Sequence, residues 1–218
     1  MAGALMASGT ASAAVFWFGT FDQFVGAGPI TDGDNDMQFN STVLPSLSGD
    51  LVGKGQWIDV VLKEVEIAGV DLYTVSFDFN ITDNNPLNPF FASGGYVGTG
   101  GDFEYSLTAL VSNEWINSAR LDTDVEGGLP TTNVTKDLYD IDFTNGHFLT
   151  LTSTNGQQDP LVGHTHFDKR HTVYVKDTLN SGGGIITHVD NQFDVPEPMT
   201  LSLIGMGLAA FGARRRFA

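Results

Sequence analysis

Apolar and polar residues alternate with a period of two along several stretches of this chain, and that alternation predicts strands. The longest run interleaves Tyr73, Val75, Phe77, Phe79 and Ile81 with Thr74, Ser76, Asp78 and Asn80. Such a pattern is that of a half-buried antiparallel strand. Phe103, Tyr105, Leu107, Ala109 and Val111 repeat it. Residues 57–67 read as another strand, with Val61, Val65 and Ile67 on one face, and the aromatic-rich residues 15–24 as a first one. Residues 172–176 and 185–189 add two more around a glycine-rich turn at 181–184. Residues 113–120 fit either a helical turn or a strand, and 121–136 read as a polar, turn-rich connection.

Tyr139, Ile141 and Phe143 alternate ahead of Thr144-Asn145-Gly146, with His147, Leu149 and Leu151 following. A two-residue Asn-Gly loop would leave Leu149 and Leu151 on the wrong face. A three-residue loop with Gly146 in the left-handed region keeps the apolar residues together. Residues 82–102 form a long Gly/Pro/Asn-rich connection, in which Phe90, Phe91 and Tyr96 act either as a buried plug or as a binding platform. The plug is favoured, because an exposed aromatic patch invites aggregation. No amphipathic helix is evident before the tail. Eight or more short strands with glycine-rich turns predict an all-β fold, an antiparallel β-sandwich (jelly-roll and Ig-like not distinguished), followed by a short C-terminal hydrophobic helix.

That last segment breaks the pattern. Val195-Pro196-Glu197-Pro198 precedes fifteen uncharged residues, 199–213, and then Arg214, Arg215 and Arg216. The prolines disfavour helix at the residues before them, so 195–198 is expected to be extended and accessible. The apolar run would rise about 22 Å as a helix against roughly 30 Å of hydrocarbon, a marginal span. The arginines would hold its end in the cytoplasm and leave the rest outside. A Pro-Glu-Pro motif, a short apolar helix and a terminal basic cluster, in this order, resemble the PEP-CTERM sorting signal of Gram-negative bacteria. The resemblance implies recognition and processing by a membrane-embedded exosortase, transient anchoring in the inner membrane, and association with exopolysaccharide at the cell surface or in the extracellular matrix.

Composition fits an exported domain. At the other end of the chain, Ala11-Ser12-Ala13 forms an A-x-A signal-peptidase pattern with Ala14 as the new N-terminus, although no basic residue precedes the short apolar stretch. This divides the chain into a signal peptide at 1–13, a domain at 14–194 and a sorting tail at 195–218. The 218 residues carry 26 Asp plus Glu and 10 Lys plus Arg. Setting aside Glu197 and the three tail arginines leaves 25 acids against 7 bases, a net charge of −18 on the domain. That surface repels nucleic acid and anionic membrane. There is no cysteine, hence no disulfide and no thiolate chemistry.

Candidate chemistry is sparse. Asp32, Asp34 and Asp36 are spaced as oxygen ligands converging on calcium. The EF-hand pattern fails, with Met37 and Val43 where Gly and Glu belong. Otherwise the run is an acidic turn bonding its own backbone. His164 and His166, two apart, would leave one face of a strand and share a transition metal, with a third ligand from His171, His147, His188 or an acid. No nucleophile elbow and no phosphate-binding loop is present. Three functions follow. The first is a non-enzymatic structural or adhesive matrix protein, its acidic surface bridged to anionic polysaccharide by divalent cations. The second is a carbohydrate-binding module with Trp57, Trp115, Phe90, Phe91 or Tyr96 as a stacking platform. The third is a metal-dependent surface hydrolase using the His164/His166 pair.

Overall fold

Thr20 turns the first strand into a helix. Its hydroxyl accepts from the Gln23 N–H at 3.3 Å, and Gln23 Oε1 accepts from the Thr20 N–H at 2.8 Å, a complete capping box. The strand therefore stops at Thr20 (β1, Ala13–Thr20) and a helix follows (α1, Phe21–Ala27), closed by Gly28 at φ 75°. Phe21 and Phe24, three residues apart, are its buried face. This corrects the reading of 15–24 as one strand and supplies an amphipathic helix before the tail. The structure is a computed structural model. It describes residues 13–40, 47–66, 70–79, 91–92 (backbone only), 94–143 and 145–196. Ala11, Glu197, Pro198, the apolar run 199–213 and the three arginines lie outside the described residues.

The remaining strands are β2 (Ile30–Thr31), β3 (Met37–Asn40), β4 (Leu47–Gly49), β5 (Asp59–Glu66), β6 (Val70–Asp78), β7 (Phe91–Ala92), β8 (Gly95–Tyr96), β9 (Gly101–Ala109) and β10 (Ile116–Glu126). They continue with β11 (Asn133–Tyr139), β12 (Leu149–Thr154), β13 (Thr165–Arg170), β14 (Thr172–Asn180) and β15 (Ile185–Pro196). They form two antiparallel sheets. The first runs β1-β5-β6-β15-β10-β13, with β8 beside β15 and β7 beside β8; the second runs β12-β11-β14-β9-β3-β2, with β4 also on β9. Inward residues of both sheets make one core, in which Phe77 lies 4.1 Å from Phe103 and 5.6 Å from Tyr105, centroid to centroid. The expected all-β antiparallel sandwich is what forms.

The period-two strands form over their described residues: Tyr73, Val75, Phe77 and Phe79 are fully buried, as are Phe103, Leu107 and nearly all of Tyr105. Thr74 and Ser76 are buried too, however, and Val111 lies beyond the end of β9, while Asn80 and Ile81 lie outside the described residues. In β5 it is Val60 and Leu62 that enter the core, not Val61 and Val65; Ile67 lies outside the described residues. The stretch 121–136 is not one loop but the second half of β10, a turn at 127–132 and the start of β11, in which buried Leu121, Thr123, Val134 and Lys136 alternate with outward-facing residues. Residues 116–120 are likewise strand. Leu138, not Tyr139, faces inward and pairs with Leu149, the last pair of the hairpin, so Tyr139 does not share the buried face of Leu151. Thr144 of the expected turn lies outside the described residues. Ile141, expected in the core, is 66% exposed. The strands flanking 181–184 are longer than expected and do not pair: β14 belongs to the second sheet and β15 to the first.

A candidate metal centre and the sorting tail

The acidic run is the loop of the β2–β3 hairpin, where Ile30 pairs with Phe39 and Thr31 with Gln38. Asn35 takes φ 66°, a left-handed conformation that asparagine tolerates. Asp32, only 4% exposed, turns inward and organises the loop. Its Oδ1 accepts from the Asp36 N–H at 3.1 Å, and its Oδ2 from the Met37 N–H at 3.1 Å and the Tyr73 hydroxyl at 2.9 Å. The loop thus bonds its own backbone, as an acidic turn does. Ligand oxygens of Asp32, Asp34 and Glu64 lie within 4.8 Å of one another. Asp36 instead faces Tyr73, whose hydroxyl is 2.7 Å from Asp36 Oδ1. Glu64 comes from β5, opposite Tyr73 on β6, a ligand that only strand pairing reveals.

The electrostatics are one-sided. Burial, then the hydrogen bond with Asp36, lift the Asp32 carboxyl from 3.8 to about 8, and the Asp36 and Asp34 charges add to the shift; the Tyr73 hydrogen bond opposes it. Burial, then Asp34, Asp36 and Glu66, raise Glu64 as well. The Tyr73 hydroxyl has one proton and two carboxylates in reach, so one acid must supply the second. Among the described residues, no lysine or arginine forms an ion pair with these four acids. A divalent cation would supply the missing positive charge. Calcium takes six to eight oxygens, roughly 2.3–2.6 Å away. The three carboxylates and the loop's carbonyls are of that chemistry.

The histidines go elsewhere. His164 precedes β13 and its Nδ1 is 3.2 Å from Asp194 Oδ2, which also accepts from Ser118 Oγ. His166 is exposed and lies beside Ser118. His171 packs on Trp115, 3.7 Å between centroids. His147 faces Asp137 at 3.9 Å. His188 sits between Asp78 and Asp190, its Nε2 at 2.8 Å from Asp190 Oδ1. Burial would lower it, but the hydrogen bonds it donates to Asp190 and Asp78, with their charges, outweigh that and hold it at about 10. Among the described residues, no group of three convergent metal ligands contains a histidine. Of the aromatic residues considered for a platform, Tyr96 is fully buried, while Trp57 and Trp115 are half-buried. Lys54 Nζ covers the Trp57 ring, 5.1 Å from its centroid. Phe90 and the side chain of Phe91 lie outside what is described.

The tail begins inside the sandwich. Val195 is 2% exposed and pairs with Asp71 of β6, and Pro196 pairs with Val70. Residue 195 is therefore extended but not accessible, because it still faces the core. On its other side β15 has no partner after Asp194 among the described residues, since pairing with β10 ends at Ser118. The sheet is thus open on one side where proline, which has no N–H to give, enters. Among the described residues, no helix is long and apolar enough to cross a membrane.

Comparison with curated proteins finds no match. Among solved structures, a chain described as "CBM4 structure and function" is similar at a TM-score of 0.28 and 11% identity, over 82% of this chain and 100% of that one. The family model of the PEP-CTERM protein-sorting motif matches residues 194–216. It takes in the Pro-Glu-Pro element, the apolar run and all three arginines, and it implies export and a surface or extracellular location. The C-terminal tail of this chain is a PEP-CTERM protein-sorting motif.

Proposed function

We propose that this chain is an exosortase substrate delivered to the cell surface or the exopolysaccharide matrix, where the sandwich has a structural and adhesive role rather than a catalytic one. The sorting motif at 194–216 carries the reading. The domain's acidity supports it, since a polyanion joins an anionic polymer through divalent cations. The Asp32, Asp34 and Glu64 oxygens form the best-placed group for calcium. His164, His171 and His188 support it too, being engaged as ion-pair and stacking partners. Signal peptidase and exosortase are the partners in export, with the tail held transiently in the inner membrane.

The test is a truncation that starts at Glu197, because one starting at Val195 would also unmake the end of β15. In an exosortase-containing host, the full chain should be processed and recovered from the surface or matrix fraction. The truncated chain should fold but fail to reach that fraction. Equal recovery and unchanged processing of both would overturn the proposal.

A further inference from the structure

We propose that Lys136 and Asn191 become joined by a side-chain amide bond that ties the two sheets together, with Asp177 as its acid–base catalyst. All three residues are fully buried between the sheets. Lys136 on β11 and Asp177 on β14 are direct cross-strand partners in the second sheet. Asn191 reaches them from β15 of the first sheet, and its Nδ2 donates to Asp177 Oδ2 at 2.8 Å. Lys136 spans the same gap from the other side. Its Nζ donates to the Arg120 carbonyl at 2.6 Å and lies 4.6 Å from the centroid of the Phe193 ring. Arg120 is paired with Gln192, so both contacts lie just C-terminal of Asn191 along β15.

Nothing in this layer behaves as an ordinary ion pair. Among the described residues, Lys136 forms no salt bridge, and Asp177 Oδ1, Asn191 Oδ1 and the Tyr105 hydroxyl are buried without hydrogen-bond partners. The walls are apolar: Val134, Leu138, Val175, Leu179, Val189 and Phe193 are buried on either side of the three residues. An ammonium ion placed here would lose its hydration and gain one carbonyl and one ring. Burial lowers the Lys136 amine to about 7 and raises the Asp177 carboxyl to about 7, each opposed by the other's charge. A neutral amine, the nucleophile, can therefore stand beside a neutral carboxylic acid, the electrophile's activator.

The step balances without a co-reactant. The lone pair of Lys136 Nζ attacks Asn191 Cγ, while the Asp177 acid donates a hydrogen bond to the carboxamide oxygen. This uses the amide turned end for end, an orientation that exchanges its O and N positions. The Nζ–Cγ bond forms, Asp177 passes a proton from Nζ to Nδ2, and the Cγ–Nδ2 bond breaks. Ammonia leaves, and the acid is regenerated. In an exported chain without cysteine, the new amide closes the loop from 136 to 191 as a disulfide would, restricting the unfolded state.

Peptide mapping of the purified full chain, after denaturation and digestion, decides the matter. The expected result is an intact mass lower than that of the sequence by one ammonia, and a branched peptide containing both Lys136 and Asn191. Succinimide formation at another asparagine gives the same loss, so the branched peptide is the deciding observation. Linear, unmodified Lys136 and Asn191 peptides from folded protein would overturn the proposal. Lys136→Arg should abolish the branch, whereas Asn191→Asp, with Lys136 intact, should still form it, with loss of water in place of ammonia. A folded Asp177→Ala protein that still forms the branch would overturn the catalytic role of Asp177.

Discussion

Removing divalent cations while raising the pH should destabilise this protein through one carboxyl group. Asp32 is held at about 8 in the fold, against 3.8 when unperturbed. Between those values the folded protein keeps a proton that the unfolded chain has released. Stability must therefore fall as pH rises from about 4 to about 8, and this contribution is constant beyond. The sign is opposite to that of a salt-bridged aspartate, because burial among acids raises the pKa instead of lowering it. A shift of roughly four units corresponds to at most about 6 kcal/mol, shared with Asp36 and Tyr73 because they hold the same proton. Calcium bound at these carboxylates would replace the proton and restore what was lost. At a hundredfold excess over its Kd it adds about 2.7 kcal/mol, which is about 5–10 °C in Tm for a domain of this size. Thermal melts followed by circular dichroism, with chelator and with calcium, at about pH 5 and about pH 8, measure it. The two series should converge at the lower pH and separate at the higher one, where ionised carboxylates are available. Asp32→Asn should remove the separation. Coincident melts at the higher pH, or an unchanged calcium shift in Asp32→Asn, would refute the reasoning.

Two further outcomes follow from the structure. His188 is held at about 10 by Asp190 and Asp78 against 6.5 unperturbed, so its contribution is complete below about pH 6.5 and is lost as pH rises through about 10. His188→Gln should lower Tm at neutral pH and flatten that alkaline loss, as read by melts across the range. Thr20→Ala removes the helix cap and should cost about 1 kcal/mol in urea unfolding, with earlier amide exchange confined to Phe21–Ala27.

Sequence alone determined what depends on local pattern. The sorting motif is contiguous, so its three parts could be read in order. The strands 73–79 and 103–109 declare themselves because each buries a whole face of alternating residues against the other sheet. Thr20 and Gln23 carried an equally local signal, a capping box, which the surrounding aromatic residues obscured. Tertiary structure decided what depends on which strands are neighbours. The phase of β5, the register of Leu138 with Leu149, and the placement of β14 and β15 in opposite sheets are fixed by partners far away in the chain. Those same choices bring Glu64 to Asp32 and Asp34, and carry Asn191 across to Asp177 and Lys136. Lys136 lay in a stretch that looked like a polar loop, since a lysine facing inward has the same spelling as one facing water. Only the partner strands reveal that it is buried, because burial is a property of the packed sheets and not of the residue.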